Sequence, residues 1–360
     1  MPVRPDDRPL LVTADPDLLD DLLRLAAAAG VETQVAHDVV AARTGWSSAR
    51  FVVLGDDLAG PAASRGLGHR PDVVLVGRDR GDDGVWDVAS RLGVDSVVFL
   101  PEAETWLVDR LADAVEAPGA QAVTVGVVGG RGGAGASTLA GALAVTGSSD
   151  RRTVLVDLDP VGGGADLLVG AELAEGLRWP DLASARGRVG GAALVASLPR
   201  ADGLRVLSWD RGAACPLPVD AARSVLAAAT RAHDLVVLDL PRHVDPVAEM
   251  AVTGADTVLL LVPAEVRAVA AAARVAAVVG SVASELRVVV RGPAPSGLSA
   301  AEVAGILRLP LAGWLRPEAG LDRLLERGEA PARSGRGPLA ELSRDLLDAL
   351  PARGQVRPAA

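Results

Sequence analysis

Along the chain, short unbroken apolar runs alternate with stretches whose apolar residues recur every three or four positions. A run of four to seven apolar residues bounded by turn residues predicts a buried strand, and the periodic stretch predicts a helix laid against it. Their alternation predicts parallel α/β sheets. Two series of such units occur, divided near Glu116–Gln121, the segment EAPGAQ. The first predicts strands at Pro9–Thr13, Thr33–Ala36, Phe51–Leu54, Asp72–Val76 and Ser96–Leu100, with helices at about Pro16–Ala29 and Thr105–Val115. Five strands in so short a span predict a flavodoxin-like or receiver-like domain. The second predicts strands at Ala122–Val128, Thr153–Asp157, Arg205–Ser208, Asp234–Asp239, Thr257–Val262, Leu286–Val290 and Leu311–Leu315. Helices fall between them, including Thr138–Thr146, Ala221–Arg231 and Val266–Val279, and a last helix is expected at about Pro338–Leu350. The expected division is therefore residues 1–118, residues 119–350, and a disordered tail at 351–360.

Composition narrows the function classes. The 360 residues are enough for about two domains, and 49% hydrophobic residues are enough for sizeable cores. Aromatics make up only 2%, with no Tyr, which argues against base-stacking platforms. Every one of the 36 basic residues is Arg, and the chain contains neither Lys nor Asn. Residues 1–118 carry 21 acids against 11 Arg, and the remainder balances at 25 of each. An acidic N-terminal half argues against DNA binding through that half. The single cysteine, Cys215, cannot form an internal disulfide, which fits a reducing cytoplasm. The longest apolar stretch, Val258–Ala283, is interrupted by Pro263, Glu265, Arg267 and Arg274. It predicts a strand and an amphipathic helix rather than a membrane span. The four histidines show no metal-ligand spacing, and no G-x-S-x-G elbow is present.

The chemistry concentrates in GVVGGRGGAGASTLAGAL, from Gly126 to Leu143. An apolar strand, a glycine-rich turn and then a helix make the setting for a phosphate loop. Glycines let backbone N–H groups approach phosphate oxygens, and the helix N-terminus adds positive dipole. The consensus G-x-x-x-x-G-K-[ST] lays onto Gly130, Arg131, Gly132, Gly133, Ala134, Gly135, Ala136 and Ser137. Ala136 stands where the lysine belongs. Two later strands end in carboxylates, Asp157 with Asp159 in VLVDLDP, and Asp239 in DLVVLDLP. Such carboxylates hold metal-bound waters and orient an attacking water in a Mg-nucleotide site.

The ordered series GGRGGAGAST, VLVDLDPVGG, DLVVLDLP and ADTVLLLVPAEVRAV resembles the deviant Walker-A ATPases of the MinD/ParA superfamily, over about Ala122–Leu350. Within it, the chain looks most like the CpaE-like proteins of pilus and secretion loci, and like the actinobacterial septum-site-determining proteins with their lysine-poor loop. The resemblance implies a P-loop NTPase fold with a mostly parallel sheet and helices on both faces. It implies ATP or ADP with Mg as ligand. It puts the signature lysine on Arg131, the loop lysine on Ala136, the Mg-binding hydroxyl on Ser137 and an α-phosphate contact on Thr138. It puts the water-orienting residue on Asp159, metal-site carboxylates on Asp157 and Asp239, and the adenine-reading position on Arg291.

Two contacts are thus lost and one altered. A charge-assisted hydrogen bond contributes roughly 1.5–3 kcal/mol, so each loss weakens nucleotide binding by about one to two orders of magnitude. Loss of charge stabilisation in the transition state should slow hydrolysis further, by on the order of 10³-fold. The expectation is a degenerate ATPase that binds nucleotide weakly, in a spatial regulator of the division septum or of a pilus or secretion machine. Its partners would be proteins of those machineries, met in the cytoplasm or through them at the inner face of the membrane. An active ATPase cycling through an ATP-sandwich homodimer, with Arg131 as signature residue, is one alternative. A nucleotide-free scaffold docking a secretion ATPase is another.

A working receiver needs an acidic pair, an acceptor Asp, a Ser/Thr and a Lys at successive strand ends. Here those places fall on Ala14 and Asp15, Gly55, Gly77, and Leu100 and Pro101. Asp56 and Asp57 come one and two residues late. The N-terminal domain therefore reads as a pseudo-receiver used for docking or localisation. The last helix, PLAELSRDLLDAL, has leucines at helical spacing but an acidic polar face, so it is expected to pack on its own domain rather than on anionic lipid.

Overall fold

The computed structural model describes residues 8–65, 67–78, 84–94, 96–115, 122–184, 189–212, 215–295 and 297–350. The expected linker at 116–121 and the tail at 351–360 lie outside the described residues. The chain divides into two compact units between Gly119 and Ala120.

In the first unit, β1 (Leu10–Val12), β2 (Gln34–Ala36), β3 (Val52–Gly55), β4 (Val73–Gly77) and β5 (Ser96–Phe99) form one sheet in the order β2-β1-β3-β4-β5. All its pairings are parallel. The strands are short apolar runs because both sheet faces are covered. Leu10, Val12, Val52, Leu54 and Leu75 enter one core, and Leu11, Val53, Val74 and Val76 the opposite one. The alternation follows from the two-residue period of a strand. Helix Pro16–Ala28 starts where Asp15 accepts hydrogen bonds from the Asp17 and Leu18 N–H groups, with Pro16 as first helical residue. Helices Val39–Trp46, Asp56–Ser64, Gly84–Leu92 and Glu104–Val115 complete the alternation.

The second unit holds β6 (Val123–Gly129), β7 (Thr153–Asp157), β8 (Arg200–Ala201), β9 (Leu204–Leu207), β10 (Leu235–Asp239), β11 (Thr257–Pro263), β12 (Leu286–Arg291) and β13 (Leu311–Leu315). Their order is β13-β12-β11-β6-β10-β7-β9-β8. All seven strands read from the apolar pattern are present. The pattern does not reveal β8, a two-residue edge strand paired antiparallel to β9. The chain winds β7, β9 and β10 to one side of β6, and β11, β12 and β13 to the other. Such a reversal opens a crevice at the C-terminal end of the strands, and here it falls at the end of β6. The register sets Asp239 of β10 opposite Val127 of β6 and opposite Asp157 of β7.

Helix Ala136–Gly147 lies under β6 and buries Leu139 and Leu143 with Val125 and Val127. Helix Pro338–Asp348 joins that core through Leu339, Leu342, Leu346 and Leu347. Its apolar stripe is thus covered by its own domain. No helix among the described residues is long and apolar enough to cross a membrane.

The segment after β7 is pinned by a buried charge that the sequence pattern does not reveal. Asp166 is wholly buried in helix Ala165–Leu168. Burial alone would raise its carboxyl. Arg211 at 2.8 Å and Arg178 at 3.1 Å outweigh burial and hold it below the ordinary carboxylate range. The Arg178 side chain is only 11% exposed, so removing Asp166 strands a nearly buried cation. Asp166→Asn should therefore lower unfolding free energy by roughly 3 kcal/mol. Equilibrium urea unfolding measures this, and a variant as stable as the parent would refute the pinning role.

Candidate functional site

The loop leaves β6 at Gly129 and enters the helix at Ala136. Gly133 (φ +69°) and Gly135 (φ +97°) adopt backbone conformations that residues with a Cβ rarely take. Gly130 is needed for another reason. A Cβ there would lie 2.7 Å from the Ala272 Cβ, so its absence lets helix Val266–Gly280 pack against the loop. Ser137 is exposed at the start of the loop helix, Thr138 is half-buried beside it, and Ala136 contributes no charge.

Behind the loop stand the strand-end carboxylates. The Ser137 hydroxyl hydrogen-bonds Asp239, which is 5% exposed. Burial, then the charges of Asp157 and Asp159, push Asp239 up to about 7 against the Ser137 hydrogen bond. Asp157 is raised as well, chiefly by burial. Its oxygens already accept from the Asp159 N–H (3.0 Å), the Ala165 N–H (2.9 Å) and the Ser208 hydroxyl (3.0 Å). The Trp179 indole N–H donates to the Asp157 carbonyl at 2.6 Å. Asp157 therefore holds the segment after β7 in place, while Ser137 and Asp239 face each other. Asp159 is half-buried and accepts from the Val161 N–H at 3.1 Å.

The two arginines carried over from the family pattern both engage the protein itself. Arg131 is paired with Glu265, its Nη2 donating to both carboxylate oxygens at 3.0 and 3.1 Å. Its Nε is buried with no hydrogen-bond partner. Arg291, at the end of β12, donates to the Ala134 carbonyl at 2.7 Å. It braces the loop where the family pattern places a base-reading side chain.

Oxygen donors of this kind suit magnesium, which takes one or two carboxylates together with phosphates and water. No cluster of three or more His, Cys, Asp or Glu among the described residues could hold a metal ion by itself. A Mg-nucleotide fits the loop backbone, Ser137 and the nearly fully buried Asp239. It finds no cation at Ala136.

At the strand ends of the first unit, the late carboxylates turn back toward the sheet. A Cβ on Gly55 would meet the Asp57 carboxylate, and one on Gly77 would lie 2.7 Å from an Asp56 oxygen. Asp57 accepts from the Thr13 hydroxyl (2.9 Å), the Ala14 N–H (2.7 Å) and the Asp15 N–H (3.2 Å). Burial, with Asp57 and Asp15 nearby, raises Asp56. The one-residue shift thus leaves the carboxylates closer to the strand ends than expected. Asp57, however, is consumed in fastening the loop after β1.

Comparison with known proteins extends this. Mycobacterium tuberculosis (strain H37Rv) protein Rv3660c, itself uncharacterized, is 42% identical over 349 residues, covering 95% of this chain and 98% of that protein. The chain belongs to the Rv3660c-like family. The family described as "Rv3660c-like, CheY-like N-terminal domain" matches residues 12–122. The second unit has the MinD/ParA fold. A ParA family ATPase from Chlorobium tepidum superposes with TM-score 0.58 at 14% identity, covering 63% of this chain and 98% of that one. MinD in the Aquifex aeolicus MinC:MinD complex gives 0.53 at 21%, covering 64% and 98%. The Pyrococcus horikoshii septum site-determining protein MinD, complexed with Mg-ADP, gives 0.53 at 15%, covering 62% and 94%.

Two partners escaped the sequence reading of this Rv3660c-like chain. Glu265 was legible as a charge ending an apolar strand, but its pairing with Arg131 spans 134 positions. Ser208 stood at the end of a predicted strand, with nothing to mark it as a ligand of Asp157.

Two outcomes are expected. Between the unfolded value of 3.8 and the folded value of about 7, Asp239 keeps a proton in the folded state that the unfolded state has released. Stability should therefore fall as pH rises through that window, by on the order of 4 kcal/mol. Asp239→Asn should flatten this profile and be the more stable protein at pH 8. Parallel urea midpoints for parent and variant across pH would contradict it. Separately, acetyl phosphate should leave the chain unmodified by intact-mass spectrometry. A phosphoryl adduct on Asp56 or Asp57 would overturn the pseudo-receiver reading.

Proposed function

We propose that this protein is a MinD/ParA-type spatial regulator of the CpaE-like and septum-site-determining kind, whose degenerate nucleotide site senses or stabilises rather than turns over ATP. The observation that carries the reading is the loop itself. Its backbone turn, Ser137 and Asp239 are retained, while Ala136 removes the cation that would meet the phosphates. Proteins of the same fold support the ligand class, since the Pyrococcus horikoshii MinD is complexed with Mg-ADP. They also support protein partners, since the Aquifex aeolicus MinD is held with MinC. Gly132, Gly133, Ala134, Gly135, Ser137 and Thr138 would hold the phosphates, and Arg131 would reach them only on leaving Glu265. Ser137 and Asp239, with Asp157 behind them, would serve the magnesium ion. That ion would supply charge neutralisation of the phosphate chain. Asp159 would orient water in any residual hydrolysis, and Arg291 would support the loop under the nucleotide. The acidic first unit would serve as the docking face for a protein of the division, pilus or secretion machinery.

Calorimetric titration with MgATP, beside the Ala136→Lys variant, tests the site. The parent should bind weakly, and the variant roughly 10- to 100-fold more tightly, as one added charge-assisted hydrogen bond requires. ATP turnover by the parent at rates typical of an active ATPase would rule out the degenerate reading. Depletion in the native cell tests the role. Misplaced septa favour division, and loss of pili or secretion with normal septa favours the machine-positioning branch.

A further inference from the structure

A loop that has lost its lysine still has to meet several negative phosphate oxygens, with Asp157, Asp159 and Asp239 close behind it. A cation must come from elsewhere in the chain. Three arginines lie against the loop, and two are committed. Arg131 is held by Glu265, and Arg291 by the Ala134 carbonyl. The third is Arg242, which the family pattern does not assign. Its Nη1 lies 3.7 Å from where a Cβ on Gly132 would stand, so the guanidinium rests on the outer edge of the glycine turn. Arg242 is exposed. It makes no hydrogen bond or ion pair among the described residues.

Arg242 is presented on a fixed turn. Upstream, Leu240 donates its N–H to the Val127 carbonyl at 2.9 Å, and Leu240 and Pro241 are buried. Downstream, Asp245 caps helix Pro246–Thr253 by accepting from the Ala248 N–H at 2.8 Å. Only a short exposed stretch separates these anchors. It starts three residues beyond Asp239, which ends the strand next to β6. The backbone that carries Arg242 is therefore fixed beside the same strand end as Asp239. A guanidinium that lies over a glycine turn, with no partner among the described residues, is placed to grip phosphate in a fork.

We infer that Arg242 supplies, from the end of β10, the phosphate-binding charge that Ala136 no longer supplies from within the loop, so that this site recognises the phosphate chain of a Mg-nucleotide. The inference rests on the nucleotide reading proposed above, and the experiment separates the two. Full-length parent, Arg242→Ala, Arg242→Gln, Arg242→Lys and the double variant Ala136→Lys/Arg242→Ala are titrated with MgATP, with thermal melting as the check on folding. Arg242→Ala and Arg242→Gln should each lose roughly 10- to 100-fold in affinity. Arg242→Lys should stay within a few-fold of the parent, and Ala136→Lys should restore what the alanine variant loses. Unchanged affinity in the alanine and glutamine variants overturns the assignment alone, as does failure of Ala136→Lys to restore binding. A parent that binds no MgATP overturns the nucleotide reading and this inference with it.

Discussion

Two acidic side chains end neighbouring parallel strands at the same level, Asp157 on β7 and Asp239 on β10, and both are buried. Like charges so placed cannot both be ionised at low cost, and much of the second unit is arranged around that fact. Asp157 is stabilised by two backbone N–H groups and a serine hydroxyl. That engagement fixes the segment that follows β7, which the Asp166 network then locks. Among the described residues, Asp239 receives only the Ser137 hydrogen bond, and it is held closer to its neutral form. The site thus sets a buried carboxylate, held near neutrality beside a second one, at the switch point of the sheet.

Charge in this chain is handled by guanidinium groups alone. A lysine is a compact point charge on a flexible stem, while an arginine is a planar fork that favours fixed partners. The arginines around the loop show the consequence. Each is defined by what it grips: Arg131 a carboxylate, Arg291 a backbone carbonyl, and Arg242 no protein group among the described residues. The positive charge near the loop thus sits on arginines around Ala136 rather than at position 136 itself.

Much of the fold was legible because parallel strands covered on both faces must be continuous apolar runs, as VTVGVVG, LVVLD and TVLLLVP are. The loop was legible for a similar reason, since the turns at Gly133 and Gly135 strongly favour glycine. β8 was not, because an edge strand of only two residues, one of them Arg200, carries no apolar signature. Nor could the partners of charged side chains be read. Arg131 could have faced a ligand, a partner chain or Glu265, and spacing along the sequence does not distinguish these. Asp56 and Asp57 show the same limit. A shift of one residue predicts displacement, yet the glycines at 55 and 77 leave room for both carboxylates to turn back.

The Arg131–Glu265 pair joins two parts of the second unit that share no local sequence. Glu265 is the cap residue of helix Val266–Gly280, and its side chain makes no capping hydrogen bond there. That helix carries Val266 and Val278 on its exposed surface, at 65% and 53% exposure. An anion that draws Arg131 away leaves Glu265 without its counter-charge at the head of the helix. The loop and the head of that helix are thus joined by one side-chain ion pair, outside the hydrogen bonding of the sheet.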